Sequence, residues 1–323
     1  MIEAFLIDIG VQQWQSATMG LLALGGAAAL RGRWPRAAHA VVLLALIKFL
    51  VPAVFDLPFA VADQAAIAIN PFEPIAPSDV MPGWTDPATW AAAIWLLGIA
   101  FFLGTSMVRQ RSLRRCVRHA QPVTEASMLA CISLVAQRLG LRRVPEVLVA
   151  PVEGPLAIGI VRPRVILPPS CAHLPADHLA SVLSHEFLHH RRHDLAGAWL
   201  SSVVVTVCWF NPVAWALAWQ LRALREDCCD DEVIESGVVS AGCYADALLT
   251  VAGVSAVAGT AAMRATHPLG RRLTRLLTRP DQGSRQSVVA AVVIVLFVVL
   301  CLPTSAKPSV PSDRVVIRTV LVR

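Results

Sequence analysis

Apolar residues fall along this chain in two patterns: long unbroken runs, and shorter runs that recur at helical or strand spacing. Unbroken runs cover about residues 4–30, 37–55, 88–108 and 287–302. At 1.5 Å per residue these are candidate bilayer crossings, the last one short but free of charge. Between 175 and 190, Leu179, Leu183 and Phe187 recur every fourth residue among polar neighbours, which predicts a helix with one buried face. Pro175 suits its first turn and Asp177 its positive end. Thr124 can cap an earlier helix over about 125–139 that Gly140 ends. Runs at 144–151, 156–160 and 164–167, punctuated by Gly154-Pro155 and Arg162-Pro163, predict short strands. Such strands either brace the neighbouring helix or offer an exposed edge to an extended peptide. A further apolar helix is expected over 242–265. Leucines alternating with Arg271, Arg272 and Arg275 over 269–277 suit an amphipathic helix on an anionic membrane surface.

Charge orients these runs. Arg31, Arg33 and Arg36 follow the first, and Arg109, Arg111, Arg114, Arg115 and Arg118 follow the third. The loop between the second and third holds Asp56, Asp63, Glu73, Asp79 and Asp86 with no Lys or Arg. The excess of arginine on cytosolic loops then puts the N-terminus outside and delivers residue 109 onward to the cytosol. Residues 195–220 carry no charge over enough length to cross a bilayer. Yet Arg191 and Arg192 stand at one end and Arg222 and Arg225 at the other, and Asn211-Pro212 interrupts the middle. The expectation is a helical hairpin that packs on the 175–190 helix or dips into the inner leaflet without crossing.

Composition agrees with a membrane protein: 56% of residues are hydrophobic and 15% charged. The formal charge of +6 would suit a nucleic-acid binder in a soluble chain, but here the basic residues flank apolar runs, and no direct nucleic-acid partner is expected. The eight cysteines show no paired spacing and none lies in the acidic loop, so a disulfide scaffold is not expected. Met1-Ile2-Glu3-Ala4 lacks a basic start and Asp8 breaks the first apolar run, which disfavours a cleaved signal peptide.

The chemistry sits in the 175–190 helix. His185-Glu186-x-x-His189 places two imidazoles on one face, one turn apart, where both can reach one ion. Glu186 lies beside that ion, positioned to take a proton from an attacking water. If the hairpin returns the chain to the same side, Glu226 and Asp230 follow on one helix face. A catalytic Zn2+ takes three protein ligands, and Glu226 is the expected third; Asp230 is placed to accept the free N–H of a ligating histidine. Arg222 and Tyr244 are candidate oxyanion or substrate contacts, though an Arg222–Glu226 ion pair and helix packing of Tyr244 are the plainer readings. Asp194 either orients the motif or caps the hairpin. His190 and His193 read as helix-end surface residues, and Cys228 and Cys229 as small buried side chains.

Three apolar runs, His-Glu-x-x-His with Asp194 five residues past the second His, Asn211-Pro212, and Arg225-Glu226-x-x-Cys229-Asp230 together resemble the BlaR/MecR-type antirepressor membrane metallopeptidases. The likeness covers about residues 5–300 and is specific between 143 and 234. It implies zinc ligands at His185, His189 and Glu226, a general base at Glu186, and a family Cys-Asp pair at Cys229-Asp230. It also implies a gluzincin-like peptidase of the bacterial inner membrane that relays an outside signal by cutting a cytosolic repressor or itself. The expected fold is mainly α: a polytopic membrane protein with four transmembrane helices and a cytosolic α+β zincin-like metallopeptidase domain between the third and fourth. In numbers, 1–108 hold three spans with the loop 56–87 outside, 109–284 the peptidase domain with its 195–220 hairpin, 285–303 the fourth span, and 304–323 a short outside tail. No large sensor is expected in that tail, and no Ser-x-x-Lys occurs, because Ala45 and Thr304 stand three before Lys48 and Lys307. Acylation by β-lactams is therefore not expected.

The reading this supports is a zinc endopeptidase acting on a cytosolic protein, with a transcriptional repressor or the chain itself as candidate substrates. Membrane lipid, an extracytoplasmic sensor and a second copy of the chain are the other candidate partners. The alternatives are a quality-control peptidase for damaged membrane proteins, and a non-catalytic signalling scaffold that would have no need of Glu186.

Overall fold

The computed structural model describes residues 2–51, 86–253 and 268–278. Within them the chain is mainly helical. Helix α1 (Ile2–Arg31) turns through Gly32–Trp34 into α2 (Pro35–Leu50), and the two pack along their length. Helix α3 (Pro87–Arg118) is capped by Asp86, whose carboxylate accepts from the Ala88 N–H at 2.9 Å. Among the described residues one stretch, Pro87–Arg115 of α3, is long and apolar enough to cross a membrane. Helix α2, at 16 residues, is shorter than the roughly 20 that a crossing needs. The expected fourth span, nearly all of the 56–87 loop and the 304–323 tail lie outside the described residues.

Next come β1 (Gln121–Pro122), α4 (Ala126–Arg138), β2 (Glu146–Val149), β3 (Leu156–Ile158) and β4 (Arg164–Leu167). Gly140, at φ +62°, ends α4 as expected, while the helix starts after Glu125 rather than at a Thr124 cap. The sheet order is β1-β2-β4-β3, with β2 and β4 parallel and both outer strands antiparallel to their neighbours. Among the described residues strand β3 is therefore an edge. The turn that returns it to β4 needs Gly159, at φ +83°, where a Cβ would collide with the Arg162 carbonyl.

A short 3-10 turn (Pro169–His173) leads into α5 (Ala176–Arg191). Leu179, Leu183 and Phe187 of α5 enter a core shared with Val135 of α4 and Val165 of β4, as the fourfold spacing predicts, but the opposite face with His185, Glu186 and His189 is buried as well. Helix α6 (Asp194–Val207) and α7 (Pro212–Glu235) form the hairpin. Asn211 turns it by accepting from the Val213 N–H at 3.0 Å, and Pro212 takes the first helical position, where no N–H is needed.

Helix α7, 24 residues long, serves two cores. Ala214, Leu217, Leu221 and Leu224 pack against α1 and α2, while Cys229 and Val233 pack into the core around α5. The hairpin tip touches α1 and α3 well inside their length: Asn211 Nδ2 donates to Gln13 Oε1 at 3.1 Å, and Trp95 Nε1 donates to the Val207 carbonyl at 2.8 Å. Gly98 makes room for the Trp209 indole there. Helices α8 (Ala241–Val251) and α9 (Pro268–Thr278) close the far side of the α5 core through Tyr244 and Leu276. The expected 242–265 helix is thus described to Val251, and 254–267 lie outside the described residues. The arginines of α9 do not all face outward: Arg272 and Arg275 turn into carboxylates of α7.

Candidate metal centre and active site

The α5 helix presents His185 and His189 with ring centroids 4.7 Å apart and the rings nearly perpendicular. Across from them α7 brings Glu226: His185 Nε2 is 3.3 Å from Glu226 Oε2, and His189 Nε2 is 3.9 Å from Glu226 Oε1. One donor atom from each of the three lies within 4.8 Å of the others. Two nitrogens and a carboxylate at this separation suit a borderline cation such as zinc.

The opposite ring nitrogens decide which atoms remain for an ion. His189 Nδ1 lies 2.9 Å from Asp194 Oδ2. Burial raises the Asp194 carboxyl, but the His189 hydrogen bond and the Arg192 charge outweigh it, and the group is held below its ordinary value. It is an acceptor, so Nδ1 carries the proton and Nε2 is left as a lone pair. His185 reaches the same state by a longer route. Its Nδ1 is 2.8 Å from Tyr244 Oη, which itself donates to Asp230 Oδ1 at 2.7 Å. The phenol therefore accepts from His185 Nδ1. Asp230 is gripped by Arg272, with Nε on Oδ2 at 2.8 Å and Nη2 on Oδ1 at 2.6 Å. That guanidinium overcomes the desolvation of Asp230 and keeps it ionised.

Glu226 faces two opposed effects. Burial raises its carboxyl, while the neighbouring His185, the Arg272 guanidinium and His189 hold it well below the usual range. Glu186 goes the other way: burial and the nearby Glu226 push it up against the pull of His189, a hydrogen bond from the Ala157 backbone and Arg272. Two carboxylates in one cavity are thus driven apart in acidity, one kept as an anion and the other made more basic.

A cavity of about 740 Å³ opens over these groups. Its walls include residues 155–160 on and around β3, Arg109 and Gln110 of α3, Trp199 of α6, and Arg272. The edge strand borders Glu186, the geometry an extended peptide would need.

A second cluster, His189, Asp194 and Cys229, also has metal-ligand composition. Its atoms are already spent on one another: Cys229 Sγ lies 3.2 Å from both His189 Nδ1 and Asp194 Oδ2. Burial and Asp194 push the Cys229 thiol far up, so it is a protonated donor supporting Asp194 rather than a thiolate ligand.

Other expected residues lie elsewhere. Arg222 is exposed and lines only an adjoining cavity, which shares Arg109, Asp194 and Arg225 with this one; the cations beside Glu226 are Arg225, at 3.3 Å, and Arg272, at 3.7 Å. Tyr244 is buried with its hydroxyl committed to His185 and Asp230, which leaves no free O–H for an oxyanion. His190 bonds the Arg164 carbonyl at 2.9 Å, and His193 takes the left-handed turn, φ 57°, between α5 and α6. The sequence reading missed Arg272 and Arg225 and left Asp194 undecided. The arginine spacing on α9 does not reveal which one faces inward.

A family model described as BlaR1 peptidase M56 matches residues 35–276. The chain is also similar to the regulatory protein BlaR1 of Bacillus licheniformis, 26% identical over 145 residues. That alignment covers 45% of this chain and 24% of the relative, so the match spans about a quarter of the curated protein's length.

Proposed function

The chain belongs to the BlaR1 peptidase M56 family, and from that membership we propose that it is a membrane zinc endopeptidase acting at the cytosolic face. Family membership makes it a membrane-associated metallopeptidase of a signalling type; the finer reading rests on the site. The observation that carries it is the orientation of the two imidazoles. Both Nδ1 atoms face acceptors, and both Nε2 atoms face Glu226, leaving three donors directed at one point.

On this reading His185, His189 and Glu226 hold Zn2+, which when bound supplies Lewis-acid polarisation of a carbonyl and acidifies water. Glu186 takes the proton of the water that attacks the scissile carbonyl and passes it to the leaving amine, a role that suits a carboxylate made more basic by burial. Asp230, through Tyr244, and Asp194 directly keep the imidazoles in the tautomer that binding requires. The substrate chain lies along the outer edge of β3, its backbone pairing as an added strand.

Helix α3 carries apolar exposed side chains such as Ile94, Leu97, Phe101 and Val108, then Arg109, Arg111, Arg114 and Arg115. This supports a crossing that delivers the site to the cytosol of a bacterial inner membrane. The hairpin contacts with Gln13 and Trp95 support a dip into the bilayer between α1 and α3. Four spans, a zincin-like α+β domain and a cytosolic substrate, with a transcriptional repressor or the chain itself as candidates, complete the proposal. The relative's description as a regulatory protein supports the signalling role.

The direct test is Glu186→Gln in the full-length protein. It is expected to retain zinc and lose cleavage, so that uncut substrate accumulates in cells; undiminished cleavage would sink the mechanism. For topology, single cysteines placed near Arg192 and Arg225 in a cysteine-free background should both resist an impermeant thiol reagent added outside. Labelling at one end only would make the hairpin a crossing.

A further inference from the structure

A second cavity, about 330 Å³, lies behind the peptidase site between α3, α6 and α7. Two stripes of like design face it. On α3, Phe102, Ser106 and Arg109 follow at spacings of four and three; on α7, Trp215, Trp219 and Arg222 do the same. Both spacings keep one helix face. The stripes meet at their aromatic ends, where the Phe102 and Trp215 ring centroids are 5.5 Å apart. Each then ends in an arginine. Arg109 and Arg222 are exposed, and among the described residues neither has a carboxylate within ion-pair reach. The acid that lines the cavity, Asp194, is already held by His189 at 2.9 Å and Arg192 at 3.4 Å. A third lining arginine, Arg225, pairs with Glu226.

We propose that this cavity binds an anionic phospholipid, its phosphate between Arg109 and Arg222 and an acyl chain along Phe102 and Trp215. The inference rests on α3 crossing the membrane, not on the peptidase chemistry. Arg109 follows directly on the apolar run of α3, the level at which hydrocarbon gives way to head groups. Arginine forks match phosphate oxygens, and tryptophans favour that same interfacial depth. The polarity of the two stripes, apolar toward the membrane interior and cationic toward the cytosol, is the polarity of a lipid in the inner leaflet. An inorganic phosphate would use only the arginine end and leave the aromatic end unexplained.

The test uses the full-length protein in detergent, titrated with phosphatidylglycerol, phosphatidylcholine or inorganic phosphate and read by native mass spectrometry. Zinc content is measured in the same samples. Phosphatidylglycerol should bind at a discrete one-to-one stoichiometry that phosphatidylcholine does not match. Arg109→Gln with Arg222→Gln should weaken it by roughly tenfold or more, while Arg111→Gln with Arg114→Gln, outside the cavity, should leave it unchanged. Equal loss in both pairs would mean diffuse surface attraction and overturn the site, as would full competition by inorganic phosphate at the lipid's own concentration. Retained zinc in the first pair shows that the fold survives. A single Arg222→Gln variant gives the same answer if the double one does not accumulate: unchanged phosphatidylglycerol binding would overturn the proposal. Absence of zinc in the unaltered protein would break the peptidase reading and leave the lipid result standing.

Discussion

His185 and His189 stand one turn apart on one helix, yet they are held in different ways. His189 is oriented by Asp194, five residues on, through a 2.9 Å contact made where α5 turns into α6, with Cys229 of α7 donating to the same carboxylate at 3.2 Å. His185 is oriented through Tyr244 on α8 to Asp230 on α7, which is clamped in turn by Arg272 on α9. One support is mainly local, its carboxylate brought into place by the turn at His193 and backed by a single thiol from α7. The other is complete only when four helices have packed. The difference teaches that a two-histidine motif can be written in one helix while half of its function depends on the far end of the chain.

Five substitutions would break or sharpen that contrast. Glu226→Gln removes the group both imidazoles face, so purified protein should fall from about one zinc per chain to nearly none. Normal zinc content in that variant would refute the shared ligand set. Arg272→Ala strands Asp230, which is 3% exposed at its side chain, as an uncompensated buried charge. The expected loss is about 3–5 kcal/mol of stability, measured by thermal or denaturant unfolding; no change would mean that α9 contributes nothing to the His185 side.

Asp194→Asn should leave the fold in place and weaken zinc about 10–100-fold, the usual cost of a lost partner behind a ligand. Tyr244→Phe should cost less, about tenfold or below, because Asp230 Oδ1 is only 3.5 Å from His185 Nδ1 and can replace the phenol. Competition against a chelator measures both, and a larger loss in Tyr244→Phe would reverse the order argued here. Gly159→Ala has the smallest expected effect on the ion, none. It should instead cost about 1–2 kcal/mol at the β3–β4 turn and slow cleavage through the displaced edge strand. Zinc loss in this variant would show that the sheet edge and the ion site are not separable.

Local order was readable wherever neighbours along the chain settle it. The period of Leu179, Leu183 and Phe187 specified which face of α5 enters the apolar core, and so the opposite face for His185 and His189, because helical geometry needs no further information; that this second face is buried too was decided by the packing of the other elements around it. Asn211-Pro212 specified a turn inside an apolar stretch for the same kind of reason: one side chain caps the next helix and the other lacks the N–H to continue the last. The strands β2, β3 and β4 were marked by their Gly-Pro and Arg-Pro boundaries, but not their order, since the parallel pairing of β2 with β4 is a contact across eighteen residues of register (Glu146 with Arg164). Nor could spacing decide what the arginines of α9 do. Arg271, Arg272 and Arg275 read equally well as a membrane-facing stripe, and only the packing of α9 against α7 and α8 turns Arg272 onto Asp230. A buried guanidinium is favourable only opposite a carboxylate, and which carboxylate lies opposite depends on where three separate helices come to rest.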